Sequence, residues 1–167
     1  MYCSPLNIGE AHLTYSFDIS GVSRALLQEL ARHRIASPSV KSTRYTLKEL
    51  KDEVFSNPIG GKLHYDKVYD YCVVADKDQL YYLIECLISI QKQLRDGKSN
   101  DKVKYMLPEA YKTELAWTIN ARSLQNFLAL RSAKAALWEI RLLAQAIYDA
   151  IPDDHKYLFK ECMQQEV

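Results

Sequence analysis

Between Glu29 and Glu49 the chain carries no acidic residue, yet Arg32, His33, Arg34, Lys41 and Arg44 fall inside that interval. The formal charges of the whole chain nearly cancel, at +1, so such a segment is a local anion pocket candidate rather than part of a general field. An arginine offers a planar fork that grips phosphate through paired, charge-assisted hydrogen bonds. Ser37, Ser39, Ser42 and Thr43 add small hydroxyl donors that let a ligand come close. A solvated basic loop accounts for the composition equally well.

Acids vanish again between Glu114 and Glu139, leaving Arg122, Arg131 and Lys134 with Asn120, Gln125 and Asn126. Arg122 and Asn126 stand four apart and share a helical face, so both can address one ligand. Arg131 follows Phe127 by four residues and Leu124 by seven, on the side that an apolar stripe would bury. A buried guanidinium without a partner is costly, so it should meet a fixed anion, a polar ligand or a protein carboxylate. A helix ending before residue 131 would leave it in solvent instead.

Elements that could position these groups follow from periodicity. Strict alternation over residues 12–20, with Leu13, Tyr15, Phe17 and Ile19 on one side, predicts a half-buried strand. A helical stripe through Val22, Leu26, Leu27 and Leu30 should run to about His33. Pro38 breaks it, leaving residues 35–45 as a loop or irregular strand, and Thr46 with Glu49 reads as a capping box. Asn57-Pro58 and Gly60-Gly61 mark a turn, and residues 69–75 cannot be assigned by period.

Asp76 can cap a helix over residues 77–95 with Gly97 beyond its end, and Asn100 another that stops near Pro108. Alternation returns over residues 113–120, after which Asn120 can cap a helix to about Leu130. A long helix is expected from Ser132 to Pro152, and a last one after Asp153. The sum is an α+β fold, a single helix-rich domain over 1–167 with a small antiparallel sheet.

With 167 residues and 48% apolar content the chain can bury a real core without disulfides or metal. Cys3, Cys72, Cys86 and Cys162 are scattered, which suggests a reducing, cytoplasmic setting, and no metal site is called for. The most apolar stretch, 81–90, is interrupted by Glu85 and falls short of the roughly 20 residues of a membrane span. Neither a membrane nor a nucleic acid is an expected partner. A nucleic-acid module resting on the cationic segment 32–44 is weakened by the net charge of +1.

The segment from Arg32-His33-Arg34 to Ser42-Thr43-Arg44-Tyr45 resembles the signature of flavin-dependent thymidylate synthases, an Arg-His-Arg triplet with serine ten positions after its first arginine and arginine two later. Residues 117–131, Trp-Thr-Ile-Asn-Ala-Arg-Ser-Leu-Gln-Asn-Phe-Leu-Ala-Leu-Arg, are similar to that family's other conserved block. The resemblance implies reductive methylation of dUMP to dTMP, with FAD as hydride carrier and 5,10-methylenetetrahydrofolate and NADPH as co-substrates. It implies a homotetramer with shared active sites.

Carried over by position, the resemblance assigns Arg32, His33, Arg34, Asn120, Arg122 and Asn126 to the flavin, with Arg32 also near the nucleotide. Lys41, Ser42, Thr43 and Arg44 would contact dUMP, with Arg44 at the phosphate and Ser42 at the family's essential serine. Arg131 would face the uracil ring, where its charge favours ionisation at N3 and makes C5 a better nucleophile. Arg131 and Ser42 are therefore the catalytic candidates. None of the four cysteines lies in either motif, unlike the cysteine-dependent thymidylate synthases.

Several positions depart from the pattern. Lys104 stands where arginine is frequent and Glu29 where glutamine is frequent, both for dUMP; Ser39 replaces asparagine and Val40 a residue that is often acidic. Family members also carry a strand, a helix and a loop ending in Glu-His before the strand near His12. Here Ala11 stands in place of that glutamate, so the family's first strand and helix are expected to be missing. A non-catalytic flavin- or nucleotide-binding remnant is the alternative this leaves open.

Overall fold

A computed structural model describes residues 12–56 and 61–163, with the side chain of Arg44 outside the described residues. The expectations about Ala11 and about Asn57, Pro58 and Gly60 likewise lie outside them. Within this range the elements run β1 (Thr14–Ser23), α1 (Arg24–Leu30), β2 (Ala36–Val40), α2 (Thr43–Asp52), α3 (Val68–Tyr71), α4 (Leu80–Arg95), α5 (Asn100–Val103), β3 (Lys112–Asn120), α6 (Ala121–Arg131) and α7 (Trp138–Ala150). Short 3-10 turns fill several connections, including Asp153–Leu158 and Lys160–Cys162. The strands form one antiparallel sheet in the order β1-β3-β2, which makes the fold α+β.

Two compact units divide the chain, one holding residues 12–19, 26–39 and 115–163, the other 20–25 and 40–114. In the first, the alternation of β1 and β3 sends Tyr15, Ile19, Leu115, Trp117 and Ile119 inward. Asn120 then ends the strand and starts α6, its side-chain oxygen accepting from the Ser123 amide at 2.8 Å. On α6 the buried residues Ala121, Leu124, Phe127 and Leu128 follow a helical stripe, and α7 buries Ile140, Leu143, Ala144 and Ile147.

The second unit is built around α4, whose buried face Leu83, Ile84, Leu87, Ile90 and Leu94 meets Leu47 and Leu50 of α2, Val68, Val103 and Tyr111. Burying each such aliphatic side chain contributes about 1.5–3 kcal/mol. Gln91 interrupts this stripe and is buried, but its amide donates to the carbonyls of Leu50 and Glu53 at 2.9 and 2.8 Å, which ties α4 to the end of α2. Asp76 accepts from the Asp78 amide just ahead of α4. At the far end Gly97, with φ 83°, closes a Schellman motif: its amide reaches Leu94 and that of Lys98 reaches Gln93.

Several boundaries differ from the periodicity reading: Ser99 rather than Asn100 precedes α5, and the helix expected from residue 77 opens as a 3-10 turn before α4 begins at Leu80. The helix expected over 22–33 is confined to Arg24–Leu30, because β1 continues through Val22 and Ser23, both buried, after Gly21 with φ 72° breaks the strict alternation. At the other end Arg32 and His33 leave the helix in tighter turns, their amides reaching Glu29 and Leu30. Thr46 is not a cap: α2 begins at Thr43 with Ser42 before it, and the Thr46 hydroxyl donates back to the Thr43 carbonyl at 3.1 Å. The long helix expected from Ser132 starts only at Trp138, since Ser-Ala-Lys-Ala-Ala offers no large apolar group to bury there. Residues 69–75 form the end of a single helical turn and an isolated bridge from Cys72 to Tyr111.

Gln91→Leu should lower stability by roughly 1–3 kcal/mol, because one buried and one part-buried hydrogen bond are lost with little change of shape. A urea titration checks this: the midpoint should fall while the slope stays that of the wild type.

Candidate active site

The triplet Arg32-His33-Arg34 follows α1, and Arg122, Asn126 and Arg131 project from α6. All six line one open cleft of about 1320 Å³ in the first unit. Arg122 and Asn126 share a face of α6, as their spacing of four requires, and the Arg122 guanidinium rests on the Gln125 side chain at 3.2 Å. Ile35 and Leu130 expose apolar surface on the walls, while Ala129, Ala133, Ala135 and Ala136 keep it low.

Arg131 is the least exposed of these cations, at 16% for its side chain. Its Nη1 donates to Glu29 Oε2 at 2.8 Å, its Nη2 to the Glu29 carbonyl at 3.2 Å and its Nε to His33 Nε2 at 2.9 Å. The largely enclosed guanidinium thus meets a protein carboxylate, one of the partners that partial burial demands. Glu29 also lies 3.8 Å from Arg32, which is 74% exposed and free to turn toward a ligand. A relay of rings supports the site from below: Phe17 packs on Trp117, Trp117 on Phe127 at 4.9 Å, and Phe127 edge-on to His33 at 5.0 Å.

His33 sits below the ordinary histidine range, first because burial disfavours its charged form and second because Arg131 faces it; Glu29 acts in the opposite sense. A neutral ring is what the geometry requires, since Arg131 Nε can only donate and His33 Nε2 must accept.

The remaining expected residues are placed elsewhere. Asn120 points its amide oxygen into the start of α6, and neither it nor Glu29 lines the cleft. Lys41 and Thr43 line a second cavity of about 120 Å³ in the other unit, where Lys41 reaches Glu114 at 3.3 Å. Ser42 stands at the N-terminus of α2 and its hydroxyl makes no capping bond. Lys104 lies over the ring of exposed Tyr105 and lines neither cavity. The side chain of Arg44 lies outside the described residues.

Tyr157, Leu158, Glu161 and Cys162 also line the cleft, and sequence reasoning did not find them. The Gln125 amide donates to the Leu158 carbonyl at 3.0 Å and so draws this late segment to α6. No residue pattern announces that contact, because it depends on a backbone carbonyl rather than on a side chain. Among the described residues no group of His, Cys, Asp and Glu is arranged to hold a metal ion, and no helix is long and apolar enough to cross a membrane.

The cleft carries four arginines on its walls with apolar patches between them, a lining whose chemistry suits an anionic, partly apolar ligand. Its assignment to a known class rests on three similarities. Residues 10–154 match the family described as thymidylate synthase complementing protein. Proteins named flavin-dependent thymidylate synthase are 54% identical in Wolinella succinogenes and 50% identical in Campylobacter jejuni, each over 93% of this chain and 74% of the relative. The crystal structure of thymidylate synthase X from Helicobacter pylori with FAD and dUMP superposes with a TM-score of 0.86 at 44% identity, over 95% of this chain and 79% of that one. The chain belongs to the flavin-dependent thymidylate synthase family.

His33 should titrate below 6.5, the ordinary value. A depressed pKa means that the neutral ring's contribution to folding is complete above about 6.5 and is lost as pH falls from there through the folded-state value. The difference in urea midpoint between wild type and His33→Asn, followed from pH 7 downward, should therefore shrink as the pH falls.

Proposed function

We propose that this chain catalyses the reductive methylation of dUMP to dTMP, with FAD held in the cleft of the first unit. The observation that carries the reading is the cleft itself, where both acid-free segments converge around Arg131. The fit to a flavin dinucleotide rests on the donor set. Arg32, Arg34 and Arg122 suit two phosphates or an anionic ring, Asn126 adds an amide, and Ile35 and Leu130 suit an apolar ring face.

A bound reduced flavin would supply the hydride that turns a transferred methylene into a methyl group. The protein's own share is orientation and electrostatics. Arg131 has five N–H groups and uses three on Glu29 and His33, so two remain for a pyrimidine carbonyl or its ionised N3. A guanidinium already held in place loses little entropy when it meets developing negative charge, and the low polarity around Phe127 strengthens that interaction.

Lys41, Ser42, Thr43 and Arg44 are proposed for dUMP, and Lys104 for its phosphate side as a point charge. Residues of the first unit alone line the cleft, so a homotetramer with shared sites offers a way for another protomer to supply these groups. Methylenetetrahydrofolate as methylene donor, NADPH as reductant and a cytoplasmic location complete the proposal. Free Cys72 and Cys86 are consistent with a reducing compartment.

The purified protein should be yellow, bleach under NADPH and recover its bands as dTMP forms from dUMP and methylenetetrahydrofolate. A yellow protein that forms no dTMP would support the non-catalytic alternative, and a colourless one that takes up no FAD would refute both. Arg131→Ala should lower kcat/KM by about 100-fold or more while flavin is retained, measured by dTMP formation and absorbance. Light scattering in solution should give four protomers.

A further inference from the structure

Glu29 is absent from the residues that line the cleft, yet it makes two of the three hydrogen bonds that hold Arg131, which does line it. We propose that Glu29 is a positioning residue: it clamps the Arg131 guanidinium and, through Arg131, orders the ring of His33, so that the cleft receives one fixed guanidinium and one imidazole tautomer. The inference rests on the proposed function for the identity of the ligand but not for the clamp itself.

The chemistry of the three groups leaves little freedom. Glu29 engages Arg131 from its carboxylate and from its own backbone carbonyl, so the guanidinium is gripped on two nitrogens by one residue. That backbone contact ties the orientation of the arginine to α1 rather than to a mobile side chain alone. With Nη1 and Nη2 so engaged, the plane of Arg131 is set and its Nε–H is delivered to His33 Nε2 at 2.9 Å. A donor at that position excludes a proton on Nε2, so the neutral ring carries its proton on Nδ1. Phe127 packs against the ring in a T-shaped arrangement with centroids 5.0 Å apart, which restricts its remaining rotation.

The charged groups that face His33 are Arg131, Glu29 and Arg32. Glu29 alone favours the protonated ring, so it also sets how far below the ordinary range His33 titrates. A residue that touched the ligand directly would show its effect whether or not Arg131 were present. One that acts through Arg131 would lose its effect when Arg131 is removed.

The test uses the flavin-containing protein and the variants Glu29→Gln, Glu29→Ala, Arg131→Ala and the double variant Glu29→Ala/Arg131→Ala. In the wild type, nitrogen NMR of His33 at neutral pH should show the Nδ1–H tautomer, and this preference should weaken in Arg131→Ala. Glu29→Gln keeps the shape and a hydrogen-bond acceptor but removes the charge, so the His33 titration should move to still lower pH with the tautomer retained. For dUMP binding by calorimetry, Glu29→Ala should cost roughly tenfold beside Arg131 but under about threefold in the Arg131→Ala background.

An Nε2–H tautomer in the wild type, a His33 titration unmoved by Glu29→Gln, or equal losses in the two backgrounds would each overturn the proposal. A wild-type protein that binds no dUMP would overturn the functional reading alone. The tautomer and the titration would then still decide the role of Glu29.

Discussion

Arg131 is a permanent charge taken largely out of water at the last turn of α6, and the arrangement of the first unit around it answers the cost of that burial. Its partners come from a segment about a hundred residues earlier, where Glu29 and His33 lie at and just beyond the end of α1. The ion pair therefore does what a long apolar contact cannot: it fixes direction as well as proximity. Each of the three nitrogens has a separate acceptor, which selects one orientation of the guanidinium plane.

Rings set the depth at which this pair sits. Trp117 and Phe127 are fully buried and meet at an angle, and His33 packs on Phe127 in a T-shaped pair. The same stack lowers the local polarity, which keeps His33 neutral and strengthens whatever anion meets Arg131. Packing and chemistry are thus coupled through one side chain.

The second unit shows a different balance. Its core is a stripe of aliphatic groups on α4 against α2, with Gln91 as a buried polar residue that pins the end of α2. Glu53, at that same end, accepts from the Tyr71 hydroxyl at 2.9 Å and from Lys67 at 3.3 Å. The hydrogen bond from the Val54 amide, followed by that from Tyr71 and the contact with Lys67, holds its carboxylate below the usual range. Cys72 is enclosed here and its thiol is pushed up to about 12 by burial, which disfavours the thiolate at neutral pH. This unit carries Lys41, Ser42 and Thr43 on a firm base.

Local pattern decided a good deal. Alternation located β1 and β3 and their inward faces, Asn120 marked the start of α6, Asp76 and Gly97 bracketed α4, and the absence of acids between Glu29 and Glu49 and between Glu114 and Glu139 marked the cationic segments. These features are legible because they depend on neighbours within one or two turns of chain. Tertiary structure decided the rest. It extended β1 past Gly21 at the expense of α1, opened a break between Ser132 and Leu137, and brought Tyr157 and Glu161 to the cleft. It also paired Arg131 with Glu29 and His33, a choice among partners that burial demanded but could not name. Periodicity reports which side of an element is dry; only the folded chain determines what stands opposite, because that depends on groups a hundred residues away.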